Sequence, residues 1–406
     1  MSPIAKKSWP PTLILSLVAA GTILSVSMGL RQSLGLFLEP MATGAGLSAA
    51  SFGLAMAVQN LAWGIGQPFM GAICDKYDGR TVVLAATILF CGGLTLIGTG
   101  SLAGLYLGGG LMIGLAVAGT SHGVLVGIIS RAATPATRPV AVTILAAVGS
   151  LGTFALAPSV QMMIQAWTWQ GALFGLAAFA AVMALASFLF REERLDTPGF
   201  AKERPNARRA IREAFADRTF VVSTAAFFAC GFQLIFIATH LPKYLSICGL
   251  PPTVSAAAIG VIGLCNAFGT VVAGYLCQRW GNNTVLALIY LLRTIFVAAF
   301  FLLPVSAETA LIFAAAMGFL WLSVIPPVSG LITSLFGVAN FGLLFGVMFL
   351  SHQVGAFLGA WLGGLIYEQN GSYAYAWISL IAVGLVAAAL QFWAGGKIDP
   401  APRQAA

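Results

Sequence analysis

Twelve runs of about twenty mostly apolar residues follow one another along this 406-residue chain, each closed off by a short connection bearing proline, glycine or charge. A run of that length crosses the hydrocarbon core of a bilayer as one α-helix, because in lipid every backbone N–H and C=O must find its partner within the segment. The runs fall at 13–38, 50–70, 81–99, 104–130, 140–163 and 170–190, then at 219–245, 253–277, 284–303, 309–330, 341–364 and 374–393. Composition agrees: only 8% of the residues are charged, against roughly 25% in a soluble domain. The expected fold is an all-α integral membrane protein with twelve transmembrane helices, here numbered as spans 1 to 12.

Two connections echo each other 203 residues apart, half the length of the chain: Gly71-Ala-Ile-Cys-Asp75-Lys76-Tyr77 and Gly274-Tyr-Leu-Cys-Gln278-Arg279-Trp280. Each carries a basic residue five places after its glycine. The same shift carries Cys74 onto Cys277, Gly152 onto Gly355 and Gly149 onto His352. A duplicated six-helix unit follows, with an amino-terminal bundle at 1–190, a linker at 191–218 and a carboxy-terminal bundle at 219–406. The linker is the one long hydrophilic stretch and contains Pro198 and Pro205. Within it, 206–217 places Ile211 and Phe215 four apart with arginines on other faces. That pattern suits a helix lying on the membrane surface, or a solvated tether.

Lysine and arginine near span ends are retained on the cytoplasmic side. With the amino terminus inside, 17 of the 20 basic residues lie inside, leaving Arg31, Lys243 and Arg293. The expected location is the cell inner (plasma) membrane with both termini cytoplasmic. The net charge of +8 is spread over loops that flank apolar spans, which fits an anionic membrane face and not nucleic acid. The first run follows Lys6 and Lys7 and is too long for the core of a signal peptide, so it reads as a retained span. The six cysteines form no CxxC pair, and neither disulfides, a metal nor a cofactor is expected. There is no nucleotide loop and no nucleophile triad, so the chain is not expected to be an enzyme.

The stretch Gly71-Ala-Ile-Cys-Asp75-Lys76-Tyr77-Asp78-Gly79-Arg80 resembles the signature loop of the major facilitator superfamily, whose form is Gly-x-x-x-Asp-Arg/Lys-x-Gly-Arg. This chain inserts Asp78 before the glycine, and its second copy replaces the acid with Gln278. The resemblance implies two pseudo-symmetric six-helix bundles that rock about a central site, with Asp75 and Arg80 in a conformational latch. The bland alternative for that pair is charge that sets topology. The resemblance also implies a monomer, and packing seams between spans 5 and 8 and between spans 2 and 11. Small residues around Gly152 and Gly355 would line those seams. Within the superfamily, Gly29-Leu-Arg31-Gln32-Ser33-Leu-Gly35-Leu-Phe37-Leu-Glu39-Pro40 is similar to the first span of the monocarboxylate and oxalate:formate transporter branch. Members of that branch commonly carry an arginine in span 8, one turn before the inner-loop glycine. Thr270 stands there in this chain.

Burying a charge in a bilayer costs from about 2.5 kcal/mol upward, so ionisable residues within spans are functional candidates. No aspartate or glutamate falls near the middle of a span, which argues against an exporter of cations. Arg31, in the outer half of span 1, either attracts an anion or snorkels outward with help from Glu39. Arg293 in span 9 either pairs with backbone carbonyls of span 8 or serves substrate or coupling. His122, His240 and His352 all lie in spans that line the cavity of the family fold. Histidine titrates near ambient pH, so each is a candidate for proton coupling, against the alternative of a hydrogen-bonded packing residue. His352 ranks first, since span 11 holds a basic residue near this depth in the oxalate:formate branch. Gln59, Asn60, Gln233, Asn266, Trp321 and Gln353 complete the candidate substrate site with Arg31 and His122.

The function expected is secondary active transport of a small, monocarboxylate-like organic anion by alternating access with proton symport. The partners are then the substrate, protons and the lipid bilayer. The alternative is a proton-driven efflux antiporter for neutral or amphipathic compounds.

Overall fold

The computed structural model of the chain describes residues 9–76, 78–134, 137–190, 207–337 and 341–395, and among these there is no β-strand. Spans 1 to 6 are Pro11–Ala45, Ala49–Lys76, Gly79–Gly98, Leu102–Ala132, Arg138–Ala166 and Trp169–Ser187. Spans 7 to 12 are Arg218–Ile247, Pro252–Trp280, Asn282–Leu302, Ala307–Phe336, Phe341–Asn370 and Ala374–Gly395. Eleven of the twelve are long and apolar enough to cross a membrane by composition alone. The exception is span 2, where Gln59, Asn60 and Gln67 dilute the apolar run. Gln59 and Asn60 are nonetheless buried, which marks span 2 as a helix whose polar groups face protein.

Local chemistry sets the ends of the helices. Asp217 accepts from the Phe220 amide to start span 7, and Ser306 forms a reciprocal cap with Thr309 at span 10. Asp78, the residue inserted into the signature loop, accepts a 2.5 Å hydrogen bond from the Thr81 amide and caps span 3. That bond holds its carboxyl below the ordinary carboxylate range. A depressed carboxyl stabilises the fold above its unfolded pKa of about 3.9 and loses that contribution as pH falls through its folded value. Asp78→Ala is expected to cost about 1 kcal/mol of span 3 stability at neutral pH. The cost should shrink in melting curves taken below about pH 4.

The fourth helix of each half is broken. Span 4 turns extended at Ser121 (ψ 175°), between Ile113–Thr120 and His122–Ala132. Span 10 breaks between Ala307–Leu320 and Ile325–Phe336. Breaks of this kind free backbone groups inside a membrane, where only protein can satisfy them.

The glycine-rich stripes do not do what their positions in sequence suggest. Spans 5 and 8 pack together, as do spans 2 and 11, but Gly152 and Gly355 are not in those seams. Gly152 presses on Ser25 of span 1 and Gly355 on the Phe228 carbonyl of span 7, each inside its own half. A helix has several faces, and residues 149 and 152 point along one of them while Thr153 and Phe154 point along the next. The seam between spans 5 and 8 is made by Gly260 and Gly263 against Phe154 and Thr153. The one between spans 2 and 11 is made by Gly53, Gly64 and Gly364 against Ala360, Gln353 and Ala49.

Duplication shows in these contacts. Gly35 abuts the Ala238 carbonyl, its counterpart 203 positions on, so spans 1 and 7 meet at equivalent points. Gly64 meets Gln353 in one seam, and in the other Ser150, the counterpart of Gln353, meets Asn266, the counterpart of Trp63 next to Gly64. At the end opposite the linker the two halves are closed, by Gly35, Gly53, Gly260 and Gly364. At the linker end they part: β-carbons at Gly71, Gly342 or Gly346 would meet nothing within 4 Å. Phe69 and Tyr275 are 65% and 63% exposed there.

The linker carries a helix, Ala207–Ala216, which buries Ala210 and Ala214 and leaves Phe215 exposed. Residues 191–206 lie outside the described residues.

Candidate substrate site

The structure gathers polar groups where the parted halves converge. The guanidinium of Arg31 lies over the Trp63 ring, 4.8 Å from its centroid, and Nη2 donates to Asn60 Oδ1 at 2.5 Å. Asn60 is held in that orientation because its Nδ2 donates to the Met56 carbonyl at 2.7 Å. Trp63 Nε1 donates to Gln67 Oε1 at 2.7 Å, and the Ser121 hydroxyl at the break in span 4 donates to the same oxygen at 2.8 Å. From the other half, Phe349 meets Trp63 edge to face at 5.3 Å. His352 stacks on Phe349 at 5.7 Å and donates from Nδ1 to Gln353 Oε1 at 3.2 Å. Gln353 is fully buried against Gly64.

Two donors in this cluster have no hydrogen-bond partner: Arg31 Nε and Gln353 Nε2. Leaving a buried donor unpaired costs about 1 to 3 kcal/mol, more when it is charged. The acceptors nearby already receive hydrogen bonds from within the cluster, Asn60 Oδ1 from Arg31, Gln353 Oε1 from His352 and Gln67 Oε1 from Trp63 and Ser121. The cluster can therefore accept a ligand that brings acceptors and negative charge.

Other sequence candidates lie elsewhere. Gln59, next to Asn60 but about 100° round the helix, donates to the Gly109 carbonyl of span 4 at 2.8 Å. Gln233 donates to the Leu380 carbonyl of span 12 at 3.1 Å, within the second bundle. Asn266 joins three helices, donating to Ser150 Oγ and accepting from the Leu322 amide at 2.9 Å each. Trp321 is buried in the core of the second half. His240 is fully buried at the closed end. It donates from Nε2 to the Ala360 carbonyl at 2.7 Å and accepts at Nδ1 from the Tyr373 hydroxyl at 3.1 Å. Both of its ring nitrogens are thereby occupied. His122 opens the segment after the break in span 4 and is half-buried.

Glu39 does not serve Arg31. It makes an ion pair with Lys243 of span 7, across the closed end. Arg293 also departs from expectation: its carbonyl partners are in span 10, not span 8. Nε donates to the Leu320 carbonyl at 3.1 Å and Nη2 to that of Trp321 at 2.5 Å, while Nη1 reaches Cys230 Sγ at 3.1 Å. The break in span 10 frees those carbonyls, and a guanidinium supplies enough donors to satisfy them. Arg293→Leu is expected to destabilise the second bundle by roughly 2 to 5 kcal/mol. A lowered melting temperature in detergent would show it.

No group of three or more histidine, cysteine or acidic residues placed to hold a metal occurs among the described residues. The apolar cleft of about 100 Å³ between spans 8, 9 and 10, lined by Val272, Leu276, Ile289 and Phe319, has side-chain donors only at Ser323 and Trp280 and no charged group to meet an anion.

A family model described as Major Facilitator Superfamily matches residues 15–337. The chain belongs to the major facilitator superfamily. Like its relatives it is a membrane transporter and not an enzyme. Monocarboxylate transporter 11 of Mus musculus is 28% identical over 376 residues, 87% of this chain and 81% of its own length. Monocarboxylate transporter 13 of Rattus norvegicus is 27% identical over 311 residues, 76% of this chain and 71% of its own. An uncharacterized transporter of the superfamily from Bacillus subtilis, YtbD, is 24% identical over 405 residues, covering 94% and 95% of the two chains. Among solved structures, a bacterial homolog of the human lysosomal transporter Spinster superposes with a TM-score of 0.76 at 16% identity, over 97% of this chain and all of the other. The nucleoside transporter NupG gives 0.75 at 13% identity, over 96% of this chain and all of its own. These two share the fold.

In this facilitator the side chain of Asp75 lies outside the described residues. Arg80 donates to the Phe190 carbonyl at 3.4 Å and lies over the Phe188 ring, so its contacts hold the signature loop to the end of span 6.

Sequence reasoning passed over Gln67, Phe349 and the Glu39–Lys243 pair. Phe341, Phe345 and Phe349 recur every fourth residue, a spacing that puts them on one face.

Proposed function

We propose that this facilitator carries a small organic anion of the monocarboxylate type by alternating access, together with a proton. The observation that supports it most is Arg31, fixed on Trp63 and Asn60 with its Nε unpartnered. The names of the monocarboxylate transporters it resembles point the same way. Residues 1–190 and 219–406 act as two bodies, and the described conformation is closed at one face and open at the linker face. We assign that face to the cytoplasm of the plasma membrane from the basic residues of the loops, with the protein working as one copy.

His352 is the candidate proton carrier. It lies in the same cluster as Arg31, and protonation there would offset the charge of a bound anion. His122, at the break in span 4, is the second candidate. In proteoliposomes, uptake of a monocarboxylate is expected to rise several-fold with an inward proton gradient. His352→Gln should flatten that response while exchange of bound anion continues. Uptake indifferent to the gradient in the unaltered protein would refute symport. Extrusion driven by an inward proton gradient would establish the antiporter instead.

A further inference from the structure

Along span 11, Phe341, Phe345, Phe349 and His352 form a ladder of near-parallel rings, with centroids 5.7, 6.4 and 5.7 Å apart and planes tilted by 24°, 11° and 8°. The four rings are half-buried, with Phe341 and Phe345 leaning on the core of the second half, so each keeps part of its surface uncovered by protein. The ladder starts at the linker end, where the halves have parted, and climbs to the donors at Arg31 and Gln353. Its upper phenylalanine, Phe349, meets the same Trp63 that lies under the Arg31 guanidinium.

Donors are free at Arg31 Nε and Gln353 Nε2, while Asn60 Oδ1 and Gln353 Oε1 each accept one hydrogen bond. The hydrogen bonds call for a ligand with acceptors, and the ring ladder bears on what the rest of that ligand is.

We propose that the carried anion is an arylcarboxylate, its carboxylate on Arg31 and its ring sliding along the span 11 ladder. This rests on the anion-carrier reading of Arg31. Flat rings gain from stacked and edge-on contacts beyond their buried area, so benzoate should outbind aliphatic acids that fill less of the path.

The test is thermal stabilisation of the purified full chain by benzoate, acetate, L-lactate and benzyl alcohol. Benzoate is expected to half-saturate at a concentration about tenfold below acetate and lactate. That benzoate-to-acetate ratio should collapse toward one in Phe349→Leu or Phe345→Leu, which keep apolar volume without a flat face. Their ligand-free melting curves report folding. Lactate binding as tightly as benzoate, or a ratio unchanged in both variants, would overturn the arylcarboxylate class and leave the anion reading standing. Benzyl alcohol stabilising as well as benzoate, or no carboxylate stabilising at all, would overturn the anion reading and the class with it.

Discussion

Arg31→Ala is expected to abolish concentrative anion uptake while the protein still folds. The guanidinium is anchored by one hydrogen bond to Asn60 and by the face of Trp63, so its removal costs the scaffold little compared with what it costs the ligand. Hydrogen bonds to charged groups contribute about 1.5 to 3 kcal/mol, which corresponds to a fall in affinity of roughly 10- to 150-fold. Arg31→Lys separates charge from shape. An ammonium keeps the positive charge but loses the planar surface that lies on Trp63 and the fork that holds both Asn60 and a carboxylate. It should therefore bind more weakly than the unaltered protein and more tightly than alanine. Binding titrations on all three, each with its melting temperature, check the order. Transport by Arg31→Ala at the unaltered rate would remove Arg31 from the site.

What could be read from the sequence follows from length scale. Runs of apolar residues the thickness of a bilayer announce the spans, and an arginine inside such a run announces itself by its cost, so the twelve helices and Arg31 were open to inspection. The linker helix, expected over 206–217 and found at Ala207–Ala216, showed in its i, i+4 pattern. What the sequence hides is direction. Gln59 and Asn60 are neighbours of similar chemistry, yet one turns to span 4 and the other to Arg31. Nothing local decides between them; the partner helices do. Arg293 depended on a break in a different helix. Only after span 10 parts at Trp321 are there carbonyls for it to satisfy, and the run 309–330 looks continuous by hydropathy. The doubled sequence held more than its motifs revealed. Shifting Arg31 and Asn60 by 203 positions lands on Leu234 and Gly263, so the polar cluster has no twin. In the equivalent seam Asn266 is satisfied by Ser150 and the Leu322 amide, whereas Gln353 keeps an unpartnered nitrogen. Symmetry builds the frame, and the site is where the halves disagree.

The same comparison leads to the second large effect, at the closed end. Glu39 and Lys243 stand 204 positions apart, almost the repeat distance, so the pseudo-twofold brings opposite charges face to face between spans 1 and 7. Lys243 is further enclosed by the Tyr367 ring at 5.8 Å, and the Glu39 and Lys243 side chains are 38% and 15% exposed. An exposed pair contributes up to about 1 kcal/mol, and this one is made between the two halves across the closed end. Lys243→Glu replaces attraction with repulsion between two carboxylates. We expect it to cost the closed end roughly 1 to 3 kcal/mol, shifting the balance toward the opposite-facing state about 5- to 150-fold. Distances between spin labels at Thr43 and Cys248, near the far ends of spans 1 and 7, should lengthen in the single variant. The exchanged pair, Glu39→Lys with Lys243→Glu, restores attraction at the same place and should return the short distance. A single variant with unchanged distances would show that the glycine contacts at Gly35, Gly53 and Gly364 hold the end shut without help from charge. Recovery in the exchanged pair is what distinguishes a gate from a residue that merely packs, because exchange preserves the charge product and alters everything else.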